Sequence, residues 1–177
     1  MTKALLIIDM QMLMQHRLDA GRAHVNGDAL ARIVALADEF RREGRQVIHV
    51  HHAEVDPKSP MYLEAPAQRV MPGAEPIDGE PIFLKSTSSP FASTDLEKYL
   101  RGSGIDTIVV TGAVAGFCVN TTVRVGSDLG FKMIVVSDAV MGFDLPDEGL
   151  SARTVFDVTM ALLKSDFAEV VLTGRSA

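Results

Sequence analysis

The sequence predicts an α/β fold, a single domain in which a mostly parallel sheet is flanked by helices. The chain has 177 residues, and at roughly 100 to 200 residues per domain this length predicts one core. Hydrophobic residues make up 47% and charged residues 23% of the chain, which is typical of a globular protein rather than a disordered one. Short apolar runs alternate with segments of helical periodicity, the pattern of strand-helix-strand units.

Six short apolar segments are predicted as strands because their length and composition suit a buried sheet. They comprise residues 4–8, 46–51, 81–84, 107–111, 132–137 and 169–172. The first helix is predicted between Asn26, its expected N-cap, and Gly44, which should end it. Three further helices are predicted at about residues 93–100, 117–129 and 150–163.

The segment 53–79 contains five prolines and little periodicity, and we predict one long loop there. A loop of that length inside a compact domain is usually functional or mobile. A lid or rim over a site and a plain solvated connection are both open interpretations.

Charge and composition exclude several classes of function. Lysine and arginine number 17 against 23 acidic residues, a net charge of -6, which is the wrong sign for a nucleic-acid partner. The apolar run 4–8 is cut off by Asp9 and is too short for a signal-peptide core or a membrane span. We therefore expect a cytoplasmic protein with no membrane partner. The single cysteine, Cys118, excludes an intramolecular disulfide and any multi-cysteine metal site.

Three reactive side chains follow predicted strands, at the edge of a parallel sheet where ligands bind. Asp9 follows the first strand, Lys85 follows the third, and Cys118 lies a few residues after the fourth, at the start of a predicted helix. In a nucleophilic mechanism Cys118 attacks, Asp9 moves the proton and Lys85 holds the carboxylate. The helix N-terminus and the ammonium predict a lowered thiol pKa and fast labelling by iodoacetamide at pH 6. The alternative is that Cys118 is an inert small hydrophobe.

Small residues fill the loop before Cys118, which reads TGAVAGFC over residues 111–118. Such a loop lets backbone N–H groups converge beside the thiol and favours an oxyanion hole. A phosphate cradle is the competing interpretation, but neither the G-x-G-x-x-G fingerprint nor the Walker pattern is present.

Three separated motifs together resemble the isochorismatase-like cysteine hydrolase family, from the first predicted strand to the last helix. They are ALLIIDMQ at residues 4–11, Lys85 followed by SSPF at residues 88–91, and GAVAGFCVNTTVR at residues 112–124 with Gly130 and Phe131 beyond. The resemblance implies one hydrolase domain over residues 1–177, a Rossmann-like three-layer sandwich with a six-stranded mostly parallel sheet. Because such relatives are commonly oligomers, we expect a homo-oligomer.

The resemblance also implies the roles of the site residues. Asp9, Lys85 and Cys118 match the family's catalytic triad, a cis peptide is expected at Ala113–Val114, and the amides of Val114 and Cys118 match its oxyanion hole. Because the chain keeps the cysteine, it resembles the amidohydrolase branch, which cleaves C–N bonds through a thioester. A catalytically silent binding or scaffold protein of the same fold remains an alternative.

The chain departs from the metal-dependent nicotinamidases of this family. Where they have an Asp-x-His motif the chain reads His52-Ala53-Glu54, and all five histidines precede residue 53. We therefore expect no metal and no cofactor, with His49, His51 and His52 as structural or substrate-contacting residues. A metal-dependent nicotinamidase-like enzyme is the remaining alternative, since histidine pairs such as His49 and His51 on one strand face can bind zinc.

The substrate pocket is predicted to be apolar. Met14 falls where the family has a phenylalanine that lines the substrate, and with Phe91, Phe117 and Phe143 it predicts a wall with few charged groups. Met14, Phe91 and Phe117 are the predicted substrate contacts, and the expected substrate is a small neutral amide. The alternative for each of them is ordinary core packing.

Overall fold

The computed structural model describes residues 2–175 and contains a seven-stranded, mostly parallel sheet. The strand order is β2-β6-β5-β1-β3-β4, and β7 also pairs with β6. Every neighbouring pair is parallel except β2 with β6. The strands are β1 Lys3–Ile8, β2 His24–Val25, β3 Gln46–His52, β4 Ile82–Lys85, β5 Thr107–Ala113, β6 Lys132–Phe143 and β7 Glu169–Val171. The six predicted strands are all present.

Six helices flank this sheet within the described residues. They are α1 Met12–Asp19, α2 Ala29–Arg42, α3 Pro90–Ser93, α4 Leu96–Gly102, α5 Asn120–Asp128 and α6 Ala152–Asp166. A π-helical turn, Ala115–Val119, precedes α5. The predicted helices correspond to α2, α4, α5 and α6, whereas α1 and the single turn α3 were not predicted. In residues 2–175, none of the helices combines the length and the apolar character that crossing a bilayer requires.

Two apolar cores lie on opposite faces of the sheet, which makes the fold a three-layer sandwich. Alternate residues of β1 show this, since Leu6 packs in one core and Leu5 in the other. Side chains of α4, α5 and α6 cover the first core and side chains of α2 cover the second. Because both faces are covered, the strand reads as a continuous apolar run rather than an alternating one.

The prediction that Asn26 caps α2 is wrong, because Asn26 has another structural role. The helix begins at Ala29, with Asp28 at the N-cap position. Asn26 donates from Nδ2 to the carbonyls of Ser137 and Val140, both at 2.9 Å. These carbonyls lie where β6 bulges away from β5, between the pairs Val110↔Val135 and Gly112↔Val140. After the bulge β6 resumes its pairing and runs to Phe143, beyond the predicted strand end at residue 137.

The long loop between β3 and β4 is fixed against the segment that follows β1. The Gln11 side chain donates to the carbonyls of His52 at 2.9 Å and Gln68 at 2.6 Å, and it accepts from the His52 amide at 2.8 Å. Met71 also donates from its amide to the Met10 carbonyl at 2.9 Å. The loop therefore forms a wall beside the carboxyl edge of the sheet.

Candidate active site

The structure brings the three reactive side chains of the sequence prediction together at the carboxyl edge of the sheet. Lys85 Nζ lies 2.8 Å from Asp9 Oδ2 and 3.4 Å from Cys118 Sγ. Asp9 and Lys85 are both buried, with 4% and 1% of their surfaces exposed, while Cys118 is half-buried. A buried ion pair is therefore in contact with the only thiol of the chain.

Local backbone geometry directs Asp9 into the site. Its φ of 51° lies in the left-handed region, and its amide donates to the Val50 carbonyl at 2.8 Å. Asp9 thus turns out of the sheet directly after β1, next to the end of β3. Across the ladder, Gly112 of β5 pairs with Ile8, and a Cβ there would overlap the Ile8 carbonyl oxygen. Only glycine allows this close approach beside Asp9.

Burial shifts the pKa of the Cys118 thiol in the direction opposite to the sequence prediction. Burial raises the pKa of the Asp9 carboxyl, although Lys85 lowers it in part. Burial, followed by the negative charge of Asp9, raises the pKa of the Cys118 thiol to about 11. The prediction of a lowered thiol pKa is therefore wrong, because burial and the charge of Asp9 outweigh the lowering effect of Lys85. The resting site holds a protonated thiol beside an ion pair.

Labelling kinetics test this protonation state. We expect iodoacetamide to label Cys118 more slowly than glutathione at pH 6, with a rate that keeps rising above pH 9, because only the thiolate reacts. Asp9→Asn should speed the labelling, since it removes a charge that raises the thiol pKa. Asp157→Asn on the exposed face of α6 is the matched control and should leave the rate unchanged. Labelling of the wild type faster than glutathione at pH 6 would contradict this assignment.

His52 is the third partner of the Lys85 ammonium. Its Nδ1 lies 3.1 Å from Lys85 Nζ, and its Nε2 lies 3.2 Å from Glu54 Oε1. Since an ammonium only donates, Nδ1 accepts and Nε2 carries the proton that Glu54 accepts. The three N–H groups of Lys85 therefore have three partners, Asp9, Cys118 and His52. The sequence left open whether His52 is a structural or a substrate-contacting residue, and in the structure its ring is hydrogen-bonded to Lys85 and Glu54.

No group of three or more histidine, cysteine, aspartate or glutamate side chains within residues 2–175 is arranged to hold a metal ion. His49 is buried and contacts Glu80 through Nε2 at 2.9 Å. Glu80 also accepts two hydrogen bonds from Arg41, at 2.8 and 3.0 Å. These contacts attach the end of the long loop to α2 and β3, which gives His49 a structural role.

The turn between β5 and α5 contains the two backbone amides that the family resemblance assigns to the oxyanion hole, those of Val114 and Cys118. The peptide bond Ala113–Val114 is cis, as the family resemblance predicts. The Val114 carbonyl accepts from the amides of Phe117 at 3.0 Å and Val119 at 3.4 Å, which closes the π-helical turn. Among the hydrogen bonds of the described residues outside regular elements, the Val114 amide is not a donor.

A cavity of about 370 Å³ opens over Asp9 and Cys118. Met14 and Phe117 line it, as the sequence predicts, and Phe143 does so as well. Its remaining wall consists of Leu13, Arg17, Arg22, His52, Glu54, Met61, Ala113, Val114, Asp144 and Leu145. The expectation of a wall with few charged groups is therefore wrong. The long loop contributes Glu54 and Met61, so it borders the cavity.

Phe91 does not line this cavity, so the prediction that it contacts substrate is not supported by its position. Its ring stacks on that of Phe131, with 5.9 Å between ring centroids, and it packs against the core that α5 covers. Phe91 also approaches the Cα of Gly126, where a Cβ would lie 3.3 Å from its ring. Phe91 is therefore a core-packing residue, which is the alternative that the sequence analysis gave to substrate contact.

Sequence reasoning missed the two arginines of the cavity wall, Arg17 and Arg22. The signal in the sequence is weak, because α1 has no continuous apolar stripe, and Leu13, Met14 and Arg17 line the cavity. These three positions lie on one face of a helix, at spacings of three and four residues. Once α1 is known, the spacing predicts that they line the same surface.

Comparisons with known proteins agree with this architecture. The family model described as the isochorismatase domain matches residues 3–167. The isochorismatase family protein YrdC of Bacillus subtilis (strain 168) is 30% identical over 176 residues, which cover 98% of this chain and 93% of that protein. N-carbamoylsarcosine amidase of Arthrobacter sp is 40% identical over a shorter stretch of 65 residues, 37% of this chain and 25% of that protein.

A solved structure supports the same relationship. The cysteine hydrolase from Pseudomonas syringae pv. phaseolicola 1448A superposes with a TM-score of 0.88 at 28% sequence identity, covering 97% of this chain and 88% of that one. The shared fold, the family model and the full-length similarity lead to one conclusion. The chain belongs to the isochorismatase family and is a hydrolase.

Proposed function

We propose that the protein is a cofactor-independent cysteine amidohydrolase that cleaves a C–N bond of a small amide through a thioester. The observation that carries the proposal is the contact of Cys118 Sγ with the Lys85–Asp9 ion pair below the cavity. The similarity to a protein named cysteine hydrolase and to an amidase supports the same chemistry.

The first half-reaction transfers the acyl group to sulfur. Because the thiol is protonated at rest, its proton moves to Asp9 as Sγ attacks the amide carbonyl. Asp9 Oδ1 is buried without a hydrogen-bond partner among the described residues, which leaves this oxygen free to accept the proton. Lys85 Nζ stays in contact with Sγ, where it stabilises the negative charge that develops as the proton leaves.

The tetrahedral intermediate carries its negative charge on the former carbonyl oxygen. We assign the amides of Val114 and Cys118 as the donors to this oxyanion, as the family resemblance implies; the Val114 amide donates to no backbone acceptor among the hydrogen bonds of residues 2–175 outside regular elements. Removal of one such donor typically costs about 10²- to 10³-fold in rate. The C–N bond then breaks, and the leaving nitrogen takes the proton from Asp9, so that ammonia or an amine departs and a thioester remains.

The second half-reaction restores the enzyme. Asp9, again a carboxylate, removes a proton from a water molecule that attacks the thioester carbonyl. The C–S bond breaks, the carboxylic acid product leaves, and the proton returns to the Cys118 sulfur. One water is consumed for each amide cleaved, and no redox step or external cofactor is needed.

A panel of small primary amides and ureido compounds, assayed by ammonia release, tests this function. We expect Asp9→Asn to lower kcat by about 10²- to 10⁴-fold on any substrate that the wild type cleaves, the range for loss of a general acid-base group. Asp157→Asn removes the same charge from the exposed face of α6 and should retain wild-type activity. Equal activity of Asp9→Asn and the wild type would rule out the proposed proton transfer, and a panel without turnover would favour the scaffold alternative.

A further inference from the structure

Arg17 differs from the other charged groups that line the cavity. Asp9 is paired with Lys85, Arg22 with Asp144, and Glu54 with His52. The Arg17 side chain has no ion pair and no hydrogen bond within residues 2–175. An arginine that is half-buried in a cavity and has no acceptor is unusual, because its guanidinium carries five N–H donors and is always charged.

Aromatic packing holds this guanidinium in place without neutralising it. The Arg17 guanidinium carbon lies 5.4 Å from the centroid of the Phe143 ring, and that of Arg22 lies 5.9 Å from the same ring. Arg22 donates to Asp144 Oδ1 at 2.9 Å and to the Asp144 carbonyl at 2.8 Å. Asp144 therefore neutralises Arg22, while Arg17 keeps an uncompensated positive charge beside it.

The electrostatics of the wall favour a bound anion. Burial, followed by the neighbouring charge of Arg22, lowers the pKa of Arg17, which means that the protein itself disfavours this charge. The negative charge of a ligand carboxylate would offset both effects, and its two oxygens match the planar guanidinium in a bidentate pair.

We propose that Arg17 binds a carboxylate of the substrate, so that the substrate class is a small amide that carries a carboxylate away from the scissile carbonyl. This inference rests on the proposed function, because Cys118 defines the position of the scissile group. Cys118 and Arg17 both line the cavity of about 370 Å³. The apolar side chains of Met14 and Phe143 would contact the part of the substrate between its amide and its carboxylate, and would select that part by shape. The expectation of a neutral amide is replaced by that of an anionic one.

Paired substrates test the carboxylate directly. The probes are the monoamides of succinic, glutaric and adipic acids and the methyl ester of each, with release of ammonia as the readout. For the spacer that fits, we expect the wild type to prefer the acid over its ester by about 10- to 100-fold in kcat/KM, the size of a charge-assisted hydrogen-bonded pair. Arg17→Gln should abolish most of this preference through KM, Arg17→Lys should retain part of it, and the exposed Arg153→Gln should retain all of it.

A binding experiment separates failure of this inference from failure of the proposed function. The Cys118→Ala variant is titrated calorimetrically with the same acids and esters, which it is not expected to cleave. Tighter binding of one acid than of its ester, with the difference lost in Arg17→Gln/Cys118→Ala, would support the carboxylate site. If the wild type nevertheless released no ammonia from that acid, the missing turnover would count only against the proposed reaction. Equal binding of acids and esters, or no binding of the acids, would overturn the role of Arg17.

Discussion

Cys118→Ala is expected to lower kcat for amide hydrolysis by about 10⁶-fold, the loss seen when the nucleophile is removed from a catalytic triad. The reason is that Lys85 and Asp9 support a proton transfer from sulfur, and the alanine methyl group has neither a proton to transfer nor a lone pair for the attack. Ammonia release under substrate saturation measures the effect. Circular dichroism and the thermal midpoint should match those of the wild type, because a half-buried thiol contributes little packing.

A matched variant and a mass measurement complete this test. Ser89→Ala also removes one heteroatom from a side chain at the same edge of the fold, where Ser89 Oγ is buried without a hydrogen-bond partner among residues 2–175. It should retain wild-type activity. Acid quenching of the wild type during turnover should reveal an acyl adduct on Cys118 by intact mass. If Cys118→Ala keeps activity within tenfold of the wild type, the thioester mechanism is wrong.

The position of the candidate site follows from sequence because it depends on strand order and little else. Asp9 directly follows β1 and Lys85 is the last residue of β4, and the carboxyl ends of parallel strands share one edge. Cys118 lies one turn beyond the end of β5, so the same argument places it nearby. These predictions required only local patterns, which a single sequence contains.

The remaining features depend on contacts between distant residues. The raised pKa of Cys118 results from burial and from its distance to Asp9, neither of which a motif encodes. Phe91 packs on Phe131, a partner 40 positions away along the chain. Beyond residue 137, β6 is contacted by the Asn26 side chain, which donates to carbonyls 111 and 114 positions further on.

The arginines of the cavity wall were missed for a related reason. Sequence patterns detect faces that are buried against a core, whereas α1 presents Leu13, Met14 and Arg17 to an open cavity. A single arginine among exposed residues is indistinguishable in sequence from an ordinary surface charge. Its role becomes evident only when Arg22 is seen paired with Asp144 while Arg17 is not.

Gly112→Ala is expected to destabilise the protein by about 4 kcal/mol or more, which places it among the most damaging single substitutions. The added Cβ would overlap the Ile8 carbonyl oxygen and lie 2.6 Å from the Ile8 nitrogen. Both are backbone atoms of the central strand β1, so no side-chain rotation relieves the collision. The φ of 114° at Gly112 adds backbone strain for any residue with a Cβ. Since total stability is typically about 5–15 kcal/mol, the soluble yield should fall sharply.

Two control glycines separate the collision from the backbone strain. Gly44 has a φ of 66° with open space around it, and Gly102, at the end of α4, has neither a positive φ nor a neighbour within 4 Å. In urea unfolding, Gly44→Ala should cost roughly 1 to 2 kcal/mol of stability, and Gly102→Ala should be neutral or slightly stabilising. A Gly112→Ala protein as stable as Gly44→Ala would show that β1 and β5 can separate at this point. Asp9 would then owe its position to its hydrogen bond with Val50 rather than to the close approach of Gly112.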